Sequence, residues 1–159
     1  MEKQVVIICG SDKDLDHAKK IKDSLNEWTI PVKIHVISAH KVPEILSEVI
    51  NDYNKFDGLL CYVTIAGRSN GLSGCTAASA VHPVIGCPPF SDKADMMVNL
   101  HSTIQMPSET PVITVLDPNN VANVVARMFA LQDSEMKQQV KDHISKIKQS
   151  FNNHERSVG

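Results

Sequence analysis

Short runs of apolar, mostly β-branched residues alternate along this chain with longer stretches in which apolar side chains return every three or four positions. That alternation restricts the fold more than any other feature. Val5-Val6-Ile7-Ile8-Cys9 reads as a first strand, Val32 to Ile37 as a second, Leu59 to Ile65 as a third, Pro83 to Cys87 as a fourth and Val112 to Leu116 as a fifth. Helical spacing puts Ala18, Ile21 and Leu25 on one side of a helix from about Leu15 to Glu27. Pro43 opens a second helix at a position where proline gives up no needed donor, with Ile45, Leu46, Val49, Ile50 and Tyr53 as a buried stripe. A small-residue helix from about Ser73 to Ala80, and another from about Pro118 to Leu131 carrying Val121, Val124, Val125, Met128 and Phe129, complete the alternation. Apolar strands separated by helices belong to a parallel sheet covered on both faces, because each crossover lays its helix against the sheet. The expected fold is therefore α/β: a three-layer α/β/α, doubly wound flavodoxin-like parallel sheet with an additional C-terminal helix.

That helix, Ser134 to Phe151, carries Met136, Val140, Ile144, Ile147 and Phe151 on an otherwise polar surface, a narrow stripe that either caps its own domain or, the preferred reading, packs on a neighbouring subunit. Asn152 to Gly159 are polar and expected to fray. With 159 residues the whole chain, 1–159, is expected to form a single domain.

Charge and composition remove whole classes of partner. Sixteen Lys and Arg against eighteen Asp and Glu leave a net charge of -2, without the basic excess that neutralises nucleic-acid phosphates. Aromatic residues make up only 4%, so stacking surfaces for bases are scarce. No apolar run approaches the roughly 18 residues of a spanning helix. Met1-Glu2-Lys3-Gln4 runs straight into a strand with no basic leader and no h-region, which points to a cytoplasmic protein. Cys9, Cys61, Cys75 and Cys87 are never spaced as metal pairs, and the seven histidines show no zinc spacing, so reduced thiols and no metal are expected.

Ligands of open parallel sheets bind outside the carboxyl ends of the strands, so the segments that follow each strand carry the functional information. After the first strand comes Gly10-Ser11-Asp12-Lys13-Asp14, where a helix start with free N–H groups favours an anion, although Ser11 or Asp12 would also serve as an ordinary N-cap. Ser38-Ala39-His40-Lys41-Val42-Pro43 follows the second strand and lines up a hydroxyl, an imidazole that can move a proton near neutral pH, and an ammonium that can pair with phosphate. The third strand leads into Ala66-Gly67-Arg68-Ser69-Asn70-Gly71-Leu72-Ser73-Gly74, a segment too polar for a simple connector and small enough to let backbone approach a ligand. Behind the fourth strand, Pro88-Pro89 stiffens a wall and allows a cis bond. Phosphate-loop and dinucleotide glycine patterns are absent. Together these loops would bring Lys13, Lys41 and Arg68 toward one cleft fitted for a small anionic substrate with hydroxyls, with His40 as its obvious proton carrier.

Gly10-Ser11-x-x-Asp14, Ser38-Ala39-His40, Ala66-Gly67, Pro83-Val84-Ile85-Gly86 and Gln105-Met106-Pro107 occur in the order and spacing of PurE-type aminoimidazole ribonucleotide carboxylases of purine biosynthesis, and the sequence resembles that family from about Val5 to Leu131. The resemblance implies a homo-oligomer, typically an octamer, with sites at subunit boundaries, acting without metal, biotin or ATP. It implies His40 as the catalytic group, with Gly10, Ser11, Asp14, Ser38, Ala39, Lys41, Ala66, Gly67, Arg68, Ser69, Asn70 and Gly71 in substrate binding. Asp14 would accept hydrogen bonds from ribose hydroxyls, Ser11, Ser38 and Lys41 would lie near phosphate or carboxylate, and Ser69 and Gly71 near carbon dioxide. Lys13 stands where the family often has serine.

Two branches of that family differ in carboxyl donor. The mutase branch resembles Ser-Ala-His-Arg with a second histidine after the third strand. Here Lys41 replaces the arginine and Arg68-Ser69-Asn70-Gly71-Leu72 replaces the histidine-bearing segment, which looks like the branch that takes free carbon dioxide. The alternatives are the mutase on the same fold and a flavodoxin-like binding module without chemistry.

Overall fold

The computed structural model describes residues 1–155. Five strands, β1 (Lys3–Cys9), β2 (Val32–Val36), β3 (Leu59–Ile65), β4 (Val84–Gly86) and β5 (Ile113–Thr114), form one sheet in the order β2-β1-β3-β4-β5. Every neighbouring pair runs parallel. Six α-helices accompany them: α1 (Leu15–Glu27), α2 (Pro43–Tyr53), α3 (Gly71–Ser79), α4 (Lys93–Ile104), α5 (Pro118–Phe129) and α6 (Ser134–Glu155). The strand order reverses between β1 and β3, which opens a crevice at their carboxyl ends.

The long interior strands β1 and β3 are buried on both faces, so they read as unbroken apolar runs rather than alternating ones: Val5 to Cys9 are all 0% exposed. Val6 and Ile8 join Leu60, Tyr62 and Val84 under Leu46 and Ile50 of α2 and Leu72 of α3. Side chains alternate along a strand, so Val5, Ile7 and Cys9 face the opposite layer. There α1 buries Ala18, Ile21 and Leu25. No described helix is long and apolar enough to cross a membrane.

The structure corrects the sequence reading in several places. α4 was not expected at all. Its buried residues are Asn99 and Thr103, while Met97, Val98 and Ile104 are exposed, so the apolar period that marks an ordinary helix is inverted. Within α2, Ile45 is exposed and the stripe reduces to Leu46 and Ile50, with Val49 and Tyr53 half-buried. β2 is an edge strand, which leaves Val36 exposed. α3 begins two residues early because the Asn70 side chain caps it, its amide oxygen accepting from the Ser73 N–H at 3.0 Å. The peptide bonds of Pro88 and Pro89 are trans.

The described chain divides into two compact units, one ending at Ala122 and a second beginning at Asn123. The sheet and every candidate site residue belong to the first. In the second, Met136 and Val140 of α6 are buried while Ile147 and Phe151 are exposed, so the expected apolar stripe is covered only in its first half. The helix continues to Glu155, past the expected start of fraying, and the expectation for residues 156–159 lies outside the described residues.

Candidate active site

β1 and β3 end side by side, tied by the Gly10 N–H donating to the Ile65 carbonyl at 2.9 Å. Beyond their ends lies an open cleft of about 430 Å³. Gly10, Ser11, Asp14, Ser38, Ala39, His40, Ala66, Gly67, Arg68 and Ser69 line it, with Lys13 beside them. Four strand-end segments thus meet as the topology requires, including Pro89 from the double-proline wall.

On the β1 side, Ser11 starts a tight 3-10 turn, Asp12–Asp14, that leads into α1. Its N–H donates to the Asp14 carboxylate at 3.0 Å, and its hydroxyl does so at 3.4 Å. Of the two N-cap candidates, Ser11 is the one that takes the position, and the bond runs from its N–H to the Asp14 side chain, a residue that lines the cleft. Burial raises the Asp14 pKa above the usual carboxylate value, an effect opposed by hydrogen bonds from Ser11 and Gly10. The carboxylate is held in an environment that disfavours its charge.

On the β2 side, the chain turns sharply after Ser38, whose carbonyl accepts from the N–H groups of Lys41 and Val42 at 3.1 and 3.0 Å. His40 is exposed on this turn and lines the cleft. Its ring stands against Gly71, where an added Cβ would lie 2.8 Å from Nε2. Lys41 is exposed outside the cleft lining, so the three expected cations reduce here to Lys13 and Arg68.

Opposite His40, Arg68 adopts φ 58°, the left-handed region that costs a non-glycine residue on the order of 1–2 kcal/mol. Asn99 holds it there, its side-chain oxygen accepting from the Arg68 N–H at 2.6 Å. Asn70, named as a binding candidate, turns inward instead. It is 7% exposed, and its amide donates to Ser73 Oγ at 2.8 Å and to Thr103 Oγ1 at 2.9 Å. Thr103 in turn donates to the Asn99 carbonyl at 2.8 Å, and the Asn70 N–H donates to Ser102 Oγ at 2.7 Å. Asn70 and Gly71 shape the loop without joining the cleft wall.

Sequence reasoning missed Asp95 and Asn99, which line the cleft from α4. A signal for α4 was present: Asp92 caps it by accepting from the Asp95 N–H at 2.9 Å, and the Asp-x-x-Asp spacing follows Ser91. Burial pushes the Cys9, Cys61 and Cys87 thiols up to about 12, so these three offer no nucleophile.

The family model described as AIR carboxylase matches residues 4–150. A phosphoribosylaminoimidazole carboxylase of Archaeoglobus fulgidus is 43% identical over 86% of this chain and 74% of its own length. One from Treponema denticola is 38% identical over 91% of this chain and 90% of its own. The crystal structure of Treponema denticola PurE superimposes with a TM-score of 0.94 at 34% identity, covering 99% of both chains. By family model, relatives and fold together, the chain belongs to the AIR carboxylase family, the PurE-type carboxylating enzymes of purine biosynthesis.

Proposed function

We propose that this enzyme joins carbon dioxide directly to carbon 4 of 5-aminoimidazole ribonucleotide, giving 4-carboxy-5-aminoimidazole ribonucleotide, rather than moving a carboxylate from the exocyclic nitrogen. One observation carries the choice: among the described residues, His40 is the only imidazole lining the cleft, and the loop facing it offers Arg68 and Ser69. Direct carboxylation needs one proton acceptor at carbon 4 and groups that favour negative charge on carbon dioxide oxygens. Transfer from nitrogen needs a proton delivered to that nitrogen as well.

Aminoimidazole is an electron-rich enamine. Its carbon–carbon π pair forms the new bond to carbon dioxide, while one carbon–oxygen π pair moves onto oxygen. His40 then takes the proton left on tetrahedral carbon 4, and the ring regains its aromaticity. Positioning supplies most of the acceleration, since the reactants need only be held at attack distance. Asp14 accepts from ribose hydroxyls, Lys13 and Ser11 face the phosphate, and Arg68 with Ser69 receives the forming carboxylate.

The deciding experiment supplies purified enzyme with aminoimidazole ribonucleotide and bicarbonate, and separately with the N5-carboxylated ribonucleotide. Turnover with the first pair is expected. Fast turnover with the second and none with the first would overturn the reading in favour of the mutase.

We also propose that the enzyme works as a homo-oligomer, an octamer as the family resemblance implies, acting in the cytoplasm. The exposed Met97, Val98 and Ile104 of α4 support self-association.

A further inference from the structure

We propose that Asn99 is a positioning residue for the reaction, a clamp that joins two walls of the cleft and holds Arg68 in its left-handed conformation. The inference rests on the functional reading above. Asn99 lies on α4, is 3% exposed and uses both ends of its side-chain amide. Its oxygen accepts from the Arg68 N–H at 2.6 Å, and its nitrogen donates to the Pro89 carbonyl at 2.7 Å and to an Asp95 carboxylate oxygen at 3.1 Å. The loops after β3 and β4 are therefore tied to each other through one planar group. Gly67 completes the clamp: a Cβ there would come within 3.1 to 3.3 Å of the Asn99 amide, so the glycine lets the amide reach the Arg68 backbone.

The chemistry of that group is constrained. An oxygen acceptor must face Arg68, and two donors must face a carbonyl and a carboxylate; asparagine supplies both. Aspartate at 99 would keep the bond to Arg68 but set a second carboxylate against Asp95 and the Pro89 carbonyl. Protonation would relieve that clash by restoring a donor. Exchanging the two residues, Asn99→Asp together with Asp95→Asn, would rebuild the bond between these two positions with the amide on the other side, while the Pro89 carbonyl would still face a carboxylate oxygen. The Ser91 N–H, which now donates to the Asp95 carboxylate at 2.9 Å, would keep an acceptor in the amide oxygen that Asp95→Asn introduces.

Three variants test the clamp. Asn99→Ala, confirmed folded by cooperative thermal unfolding, is expected to lose about 10- to 100-fold in kcat/KM with the active carboxyl donor. Asn99→Asp is expected to lose a similar factor at pH 8 and to recover, relative to the parent, as the pH is lowered toward 5.5. The double exchange is expected to regain part of the activity that Asn99→Asp loses at pH 8, because it restores the bond between positions 95 and 99 and not the one to Pro89. A folded Asn99→Ala within twofold of the parent overturns the proposal. Should that variant fail to fold, a folded Asn99→Asp with the parent's turnover at pH 8 overturns it. Hydrogen exchange at the Arg68 amide gives a readout independent of turnover: protection in the parent should be lost in Asn99→Ala, and retained protection counts against the clamp. If the parent itself turns over neither carboxyl donor, the functional reading fails, and amide exchange alone decides the clamp.

Discussion

His40 carries the proton chemistry in the proposed reaction, and its setting allows a clean test. It is exposed, and its ring is bounded on one side by Gly71, so His40→Asn removes the base while leaving the fold untouched. We expect kcat to fall about 10²- to 10⁴-fold, the usual contribution of a positioned base, with ribonucleotide affinity by calorimetry nearly unchanged. Retained turnover would remove His40 from the mechanism. Asp14 carries the opposite kind of signature. Its folded pKa is raised, mainly by burial, so its favourable contribution to stability is present below the ordinary carboxylate pKa and is lost as pH rises through the folded value. Asp14→Asn keeps an acceptor for the Ser11 N–H and removes the disfavoured charge. The variant should therefore melt higher than the parent at pH 7, with the difference shrinking toward pH 3, while its KM for ribonucleotide rises. A lower Tm at pH 7 would show that the Ser11 bonds outweigh burial. His40 was legible at the cleft because a strand-end position and a chemical type suffice to name it, whereas Asp14 was named only by the family resemblance. Lys41 and Asn70 were misplaced because the side of a turn on which a side chain emerges depends on backbone angles that the residue type does not reveal.

The helices show where legibility ended. α1 was found with both its boundaries because Ala18, Ile21 and Leu25 repeat at helical spacing and point into the core. α4 was invisible to the same test because it buries Asn99 and Thr103 and exposes Met97 and Val98. Its inward face is held by hydrogen bonds, and their net worth can be set against an unsatisfied hydroxyl on a neighbouring helix. Thr103 is 0% exposed, accepts from Asn70 and donates to the Asn99 carbonyl. Thr76 on α3 is also 0% exposed, but its hydroxyl has no partner among the described residues. The same threonine-to-valine change should thus have opposite signs at the two positions. Thr103→Val is expected to destabilise by about 1–3 kcal/mol in urea unfolding, whereas Thr76→Val is expected to be neutral or stabilising, because only the first strands a buried partner. Equal losses at both would mean that the two hydroxyls are equally satisfied in solution.

Three histidines make the folded chain sensitive to acid. Burial lowers the pKa of His17, His35 and His82, helped by Lys20 beside His17 and Lys33 beside His35. A depressed folded value means stability that is complete above the ordinary histidine pKa of 6.5 and lost as pH falls through the folded values. Tm should hold between pH 8 and 7 and decline from about pH 6.5 downward, before the carboxylates titrate; a flat profile to pH 5 would contradict it. Surface apolarity bears on a second property. Met97, Val98 and Ile104 are 46%, 56% and 53% exposed on a helix whose inward face is polar, an arrangement that leaves the apolar face without cover in a lone chain. A second copy of the chain covers it most economically, because a symmetric interface repeats one patch on each subunit. Sedimentation velocity of the parent should show a species larger than the 17.5 kDa chain. Val98→Glu, which places a charge on that face without touching the buried Asn99, should shift the distribution toward smaller species. A monomeric parent would exclude self-association at this face. An unchanged distribution for Val98→Glu would place the contact elsewhere, with the exposed Ile147 and Phe151 of α6 as the next apolar residues to charge.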